Sequence, residues 1–124
     1  MTQTILIAED DPQMMEVLAT MLQRAGYSVI KQPVLGDVIS DLETNPDVGV
    51  VLLDIWHNGS PAFEILDQIK VTFPAVKTLM ISGGGGYLST EASFAIAELA
   101  QTDAVLMKPF TRSSLLSEVS KVLA

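Results

Sequence analysis

The segment Val48-Gly49-Val50-Val51-Leu52-Leu53 is apolar without a break and is followed at once by Asp54. A strand with one wet face alternates apolar and polar residues. A strand apolar at every position must be covered on both faces, which is the habit of parallel sheets sandwiched between helices. Four further short runs accompany it: Ile5 to Ala8, Ser28 to Lys31, Val76 to Ile81 and Ala104 to Met107. Between them the apolar spacing changes to three and four. Met14, Leu18, Met21, Leu22 and Ala25 mark one helical stripe that Gly26 is placed to end. Val38, Ile39 and Leu42 mark a second, closed by Asn45-Pro46, and Phe63, Leu66, Ile69 and Lys70 a third before Pro74. Phe94, Ile96, Ala97 and Ala100 predict a fourth, opened by Ser89 or Thr90. Thr111 predicts the cap of a fifth, with Leu115, Leu116, Val119 and Leu123 inward. The order is (βα)5, and right-handed crossovers make it an α/β fold with a parallel sheet between two helical layers. Strand order does not follow from this pattern.

The 124 residues suit a single domain spanning 1–124, with no linker, repeat or room for a second unit. There is no cysteine, so disulfides and thiolate metal sites are excluded and a cytoplasmic location is expected. No signal peptide and no run of membrane-spanning length is present, so no membrane partner is expected. Fifteen acidic residues against seven basic ones give a formal charge of −8. That balance argues against a nucleic-acid partner, whose phosphates require Lys and Arg, and favours divalent cations and basic or mixed protein surfaces.

In open α/β sheets, ligands collect beyond the carboxyl ends of the strands. Strand 1 ends in Glu9-Asp10-Asp11-Pro12, strand 3 in Asp54, strand 4 in Ser82 and strand 5 in Lys108-Pro109. Three or four carboxylates, a hydroxyl and an ammonium would meet on one rim. Close carboxylates repel, and a proton or a cation must relieve them. Mg²⁺ suits such a place, being held by one or two carboxylates plus waters and phosphate oxygens. With Asp54 as nucleophile, Lys108 facing the phosphoryl oxygens and Ser82 bonding to one of them, the set reads as phosphoryl transfer to aspartate. Taken singly, each group has a plainer reading. Glu9, Asp10 and Asp11 could be solvated helix caps, Asp54 a loop acid, Ser82 a turn former, and Lys108-Pro109 a turn.

Glu9-Asp10, Asp54, Ser82 and Lys108-Pro109-Phe110, in this order, resemble the receiver domains of bacterial two-component response regulators. The resemblance spans the chain. It implies a flavodoxin-like fold of five parallel strands in the order 2-1-3-4-5. It also implies phosphorylation by a histidine kinase or histidine phosphotransfer protein, and signalling through contacts with an unknown output protein as a monomer or weak homodimer. By motif position it makes Glu9 and Asp10 the acidic pair and Asp54 the phosphoacceptor. The backbone carbonyl of Trp56 becomes the third protein ligand of Mg²⁺, Ser82 the switch hydroxyl and Lys108 the paired lysine, with a cis Lys108–Pro109 bond. The rival readings are a pseudo-receiver serving as an unphosphorylated binding module and an aspartyl phosphatase. The phosphatase lacks a second acid two residues after Asp54, where Trp56 stands.

Four features depart from the family pattern. The loop Ile55-Trp56-His57-Asn58-Gly59-Ser60-Pro61-Ala62 has no proline four residues after Asp54 and no later Asp-Gly. Trp56, beside the phosphoryl position that the resemblance implies, reads either as a screen against water that slows dephosphorylation or as an aromatic packed over the loop. The run Gly83 to Gly86 is no P-loop, since no Gly-Lys-Ser/Thr follows; it reads as a connector or a gate. Val105 stands where many receivers carry an aromatic switch residue, so the usual coupled movement does not transfer. His57, the single histidine, reads as a loop residue.

Overall fold

A computed structural model describes residues 3–54, 56–57, 60–61, 63–83 and 102–124. Five parallel strands form the sheet: β1 (Thr4–Ala8), β2 (Ser28–Gln32), β3 (Val48–Asp54), β6 (Lys77–Gly83) and β7 (Ala104–Lys108). Between β3 and β6, β4 (Trp56–His57) and β5 (Ser60–Pro61) pair as a short antiparallel ribbon where the sequence suggested only loop. The sheet order is β2-β1-β3-β6-β7, which is 2-1-3-4-5 counted along its own strands. The flavodoxin-like topology is therefore as the resemblance implied. Helices α1 (Pro12–Arg24), α2 (Val38–Thr44), α3 (Phe63–Thr72) and α4 (Arg112–Leu123) cover the sheet. The helix expected around Phe94 to Ala100 lies outside the described residues.

β3 is central, and its alternate side chains feed two cores. Val50 and Leu52 pack with Ile5, Ile7 and Leu106 under α1 and α4, whereas Val51 and Leu53 pack with Leu6 and Met80 under α2 and α3. Each such burial contributes roughly 1.5–3 kcal/mol, and this is why the run has no polar position to spare. Gly49 is the extra residue where the β1–β3 register shifts between Thr4 and Ile5. A Cβ there would lie 3.2 Å from both Leu123 Cδ2 and Gln3 Oε1.

The helix ends follow their residues. Asp11 caps α1 by accepting from the Gln13 N–H at 3.0 Å, and Pro12 takes the first turn, where its missing N–H is harmless. Gly26, at φ +100°, follows the end of α1 in the left-handed region. Thr111 and Ser114 cap α4 reciprocally, as the threonine predicted. The inner faces needed correction. On α1 the buried set is Met15, Leu18, Ala19 and Leu22, with Met14 and Met21 only half-buried and Ala25 exposed at the cap. On α4, Val122 is buried and Leu123 half-buried. Periodicity finds a helix more easily than it finds which edge of a broad apolar stripe touches the sheet.

Candidate acidic phosphoacceptor site

Strand register assembles the site. Ala8 pairs with Leu53, so Glu9 and Asp54 are the next residues on neighbouring strands. Asp54 pairs with Ile81 and Gly83 with Lys108, so Lys108 closes the same rim two strands away. Side chains alternate along a strand. Glu9 continues the parity of Ile7, Asp54 that of Leu52 and Lys108 that of Leu106, all of which belong to the α1/α4 core. Three polar groups thus emerge on one side of the sheet at its carboxyl end.

Glu9 is only 3% exposed and Asp54 9%, an uncommon depth for carboxylates. Lys108 Nζ donates to Asp54 Oδ2 at 3.2 Å and lies 4.0 Å from Glu9 Oε1. The Asp11 N–H donates to Glu9 Oε2 at 3.3 Å. Burial, and then the neighbouring Asp54 charge, push the Glu9 carboxyl up from 4.5 to about 7. A hydrogen bond with the Asp10 side chain adds to the rise, while the Asp11 N–H and Lys108 oppose it. One ammonium does not neutralise three carboxylates, and Glu9 bears the imbalance.

The resemblance set Glu9 and Asp10 apart from Asp11 as the acidic pair, and the structure separates all three by burial. Glu9 points into the site, half-buried Asp10 hydrogen-bonds to it, and exposed Asp11 serves as the cap of α1. The Lys108–Pro109 bond is cis, as expected. Of Trp56 and Ser82 the backbone alone is described, and the side chain of His57 and the glycines from Gly84 onward lie outside the described residues. Val105 packs, half-buried, against the α2/α3 core.

The donor set fits a small hard cation. It consists of oxygens, and it carries a negative charge that Lys108 leaves uncompensated. Among the described residues no three acidic or histidine side chains already enclose a metal. Mg²⁺ does not need that, because waters and phosphate oxygens complete its shell. The sequence reading missed a second polar cluster, at the opposite end of the sheet. There Asp103 Oδ2 accepts from the buried Thr78 N–H at 2.8 Å, and the Thr78 hydroxyl lies 3.2 Å from that of Thr102. This cluster ties the start of β7 to β6 and has no part in the rim. Among the described residues no helix is long and apolar enough to cross a membrane.

Comparison with known proteins agrees with this geometry. The heme response regulator HssR of Staphylococcus saprophyticus is 26% identical over 97% of this chain, which spans 51% of that protein. A CheY-like response regulator receiver domain protein from Methanospirillum hungatei superposes with a TM-score of 0.84 at 28% identity, covering 99% of this chain and 94% of that one. A BeF3-activated DrrB receiver domain gives a TM-score of 0.82 at 27% identity, covering 99% and 98%. Residues 5–120 match the family described as the response regulator receiver domain. With its five-strand order and its buried acid–lysine rim, the chain belongs to the receiver-domain family of two-component response regulators.

Proposed function

We propose that this domain accepts a phosphoryl group on Asp54 from a histidine kinase or histidine phosphotransfer protein, and signals by altered contacts with an output protein. The carrying observation is the Lys108–Asp54 pair at 3.2 Å, set beside a second buried carboxylate at the carboxyl end of a doubly wound sheet. In the reaction a carboxylate oxygen of Asp54 forms a bond to phosphorus as the bond from phosphorus to the donor imidazole nitrogen breaks. The electron pair leaves with the imidazole. Lys108 holds Asp54 oriented beforehand and is placed to pair with the phosphoryl oxygens. The Ser82 hydroxyl is assigned to one of those oxygens by its place one residue beyond the Asp54 partner on β6. Glu9, Asp10, Asp54 and the backbone carbonyl of Trp56 would hold Mg²⁺, which when bound offsets the charge of the phosphoryl oxygens.

A receiver used only as an unphosphorylated binding module would have no use for a buried Glu9 that is costly to ionise. That cost favours the phosphoacceptor. Trp56, the single tryptophan, lies two residues from Asp54 and reports on the site. Its fluorescence should respond to Mg²⁺ and then to beryllofluoride, and acetyl phosphate should add one phosphoryl group by intact mass. No response in the parent, or an unchanged one in Asp54→Ala, would favour the binding module.

A further inference from the structure

A groove of about 430 Å³ runs between α1 and the start of α4, lined by Glu16, Val17, Thr20, Met21, Arg24 and Arg112. Arg24 and Arg112 are the only arginines in a chain of net charge −8. Among the described residues neither guanidinium has an ion-pair or hydrogen-bond partner. The one acid of the groove, Glu16, is already paired with Lys31 at 2.7 Å. Arg112 opens α4, where the helix dipole disfavours a cation, and α4 has no acid in its first turn. Helix stability therefore does not explain its place. Val17, which lines the same groove, remains 44% exposed, one of only three large exposed hydrophobic residues described. The groove is cationic at its edges and apolar within.

The complementary surface lies on the same chain. On α3 the residues Glu64, Asp67 and Val71 follow at steps of three and four, so they share one helical face. Both acids are exposed, and among the described residues neither has a partner. Val71 is 83% exposed, the most open large hydrophobic residue described. Lys70, the cation of this helix, is half-buried. An acidic stripe ending in an apolar side chain is the counterpart of a basic-edged groove with an apolar floor.

We infer that the α1/α4 groove of one copy receives the exposed face of α3 from a second copy. The groove belongs to the α1/α4 layer and the stripe to the α2/α3 layer, on opposite faces of the sheet. The contact is therefore heterologous and repeats head to tail instead of closing as a twofold dimer. With few charges and two exposed valines, the association is weak. Its surfaces avoid Glu9, Asp54 and Lys108, so it stands independently of the phosphoacceptor reading.

Charge reversal on each face tests it. Sedimentation and light scattering of the parent, from micromolar to near-millimolar concentration, should show an average mass that climbs above the monomer without a plateau at the dimer. Arg24→Glu with Arg112→Glu should weaken this at least about tenfold, and so should Glu64→Lys with Asp67→Lys. Mixing the two double variants should restore it, because each then offers what the other lost. All four positions are exposed, and circular dichroism and acetyl phosphate labelling verify that each variant is folded and loaded as the parent is. A parent that stays monomeric throughout overturns the inference, as does association that survives either reversal or is not restored by mixing. A monomeric parent that binds a synthetic glutamate-and-leucine helix would assign the groove to another protein, and the second-copy inference would be lost.

Discussion

Replacing Glu9 by glutamine should make the metal-free domain more stable at alkaline pH and have little effect in acid. The folded carboxyl titrates near 7 against an ordinary 4.5. Below 4.5 it is neutral in both states and costs nothing. As pH rises through 4.5 the unfolded chain releases its proton while the folded site still holds it, and stability drains away until the folded group ionises near 7. Above that the penalty is complete, about 3 kcal/mol for a displacement of this size. At pH 5 less than about 1 kcal/mol has been lost by the same relation. Glutamine cannot ionise, is nearly the same shape, and can still accept the Asp11 N–H that now reaches Glu9 Oε2 at 3.3 Å. Urea denaturation of parent and Glu9→Gln in EDTA, at half-unit steps from pH 5 to pH 8, should show the variant's advantage growing by about 2–3 kcal/mol. The other titrating groups largely cancel in the difference. An advantage that is flat, or that shrinks as pH rises, would refute the claim that Glu9 carries the uncompensated charge. Mg²⁺ added at pH 8 should then stabilise the parent more than the variant.

Other perturbations follow the same physics. Lys108→Met removes the ammonium 3.2 Å from Asp54; labelling by acetyl phosphate should be lost and stability at pH 8 should fall by about 1–3 kcal/mol, with a smaller fall at pH 5. Asp103→Ala should cost about 1–3 kcal/mol in thermal or urea unfolding, because the buried Thr78 N–H loses its acceptor; Asp103→Asn should recover most of it and leave phosphorylation intact. Trp56→Asn should lose its phosphoryl group faster than the parent in a pulse-chase of labelled protein, and an equal rate would remove the water-screening role.

How much was legible beforehand depended on the range of the interaction. The strand at Val48–Asp54 was readable because a doubly covered strand has no polar position, and the ends of α1 and α4 because Gly26 and Thr111 act on their own backbone neighbours. The rim residues were readable as a set, since acids, hydroxyl and lysine fall at consecutive strand ends in sequence order. Their separate roles came only from the resemblance, and their depths of burial from neither the pattern nor the resemblance. The motif paired Glu9 with Asp10, but only the register Ala8↔Leu53, the pleat of the strand and the first turn of α1 make Glu9 buried, Asp10 half-buried and Asp11 a cap. The same holds for Thr78 and Asp103, twenty-five residues apart and hydrogen-bonded through pairing of β6 with β7.

The sequence alone determined the α/β class, the alternation of strands and helices, and which residue types would crowd one edge, because periodicity and capping are local. Tertiary structure decided the order of the strands, the burial that raises Glu9 and the pairing that sets Lys108 against Asp54. It also decided that the two arginines, 88 positions apart, line one groove. These depend on distances between segments remote along the chain, and such distances exist only once the sheet has formed.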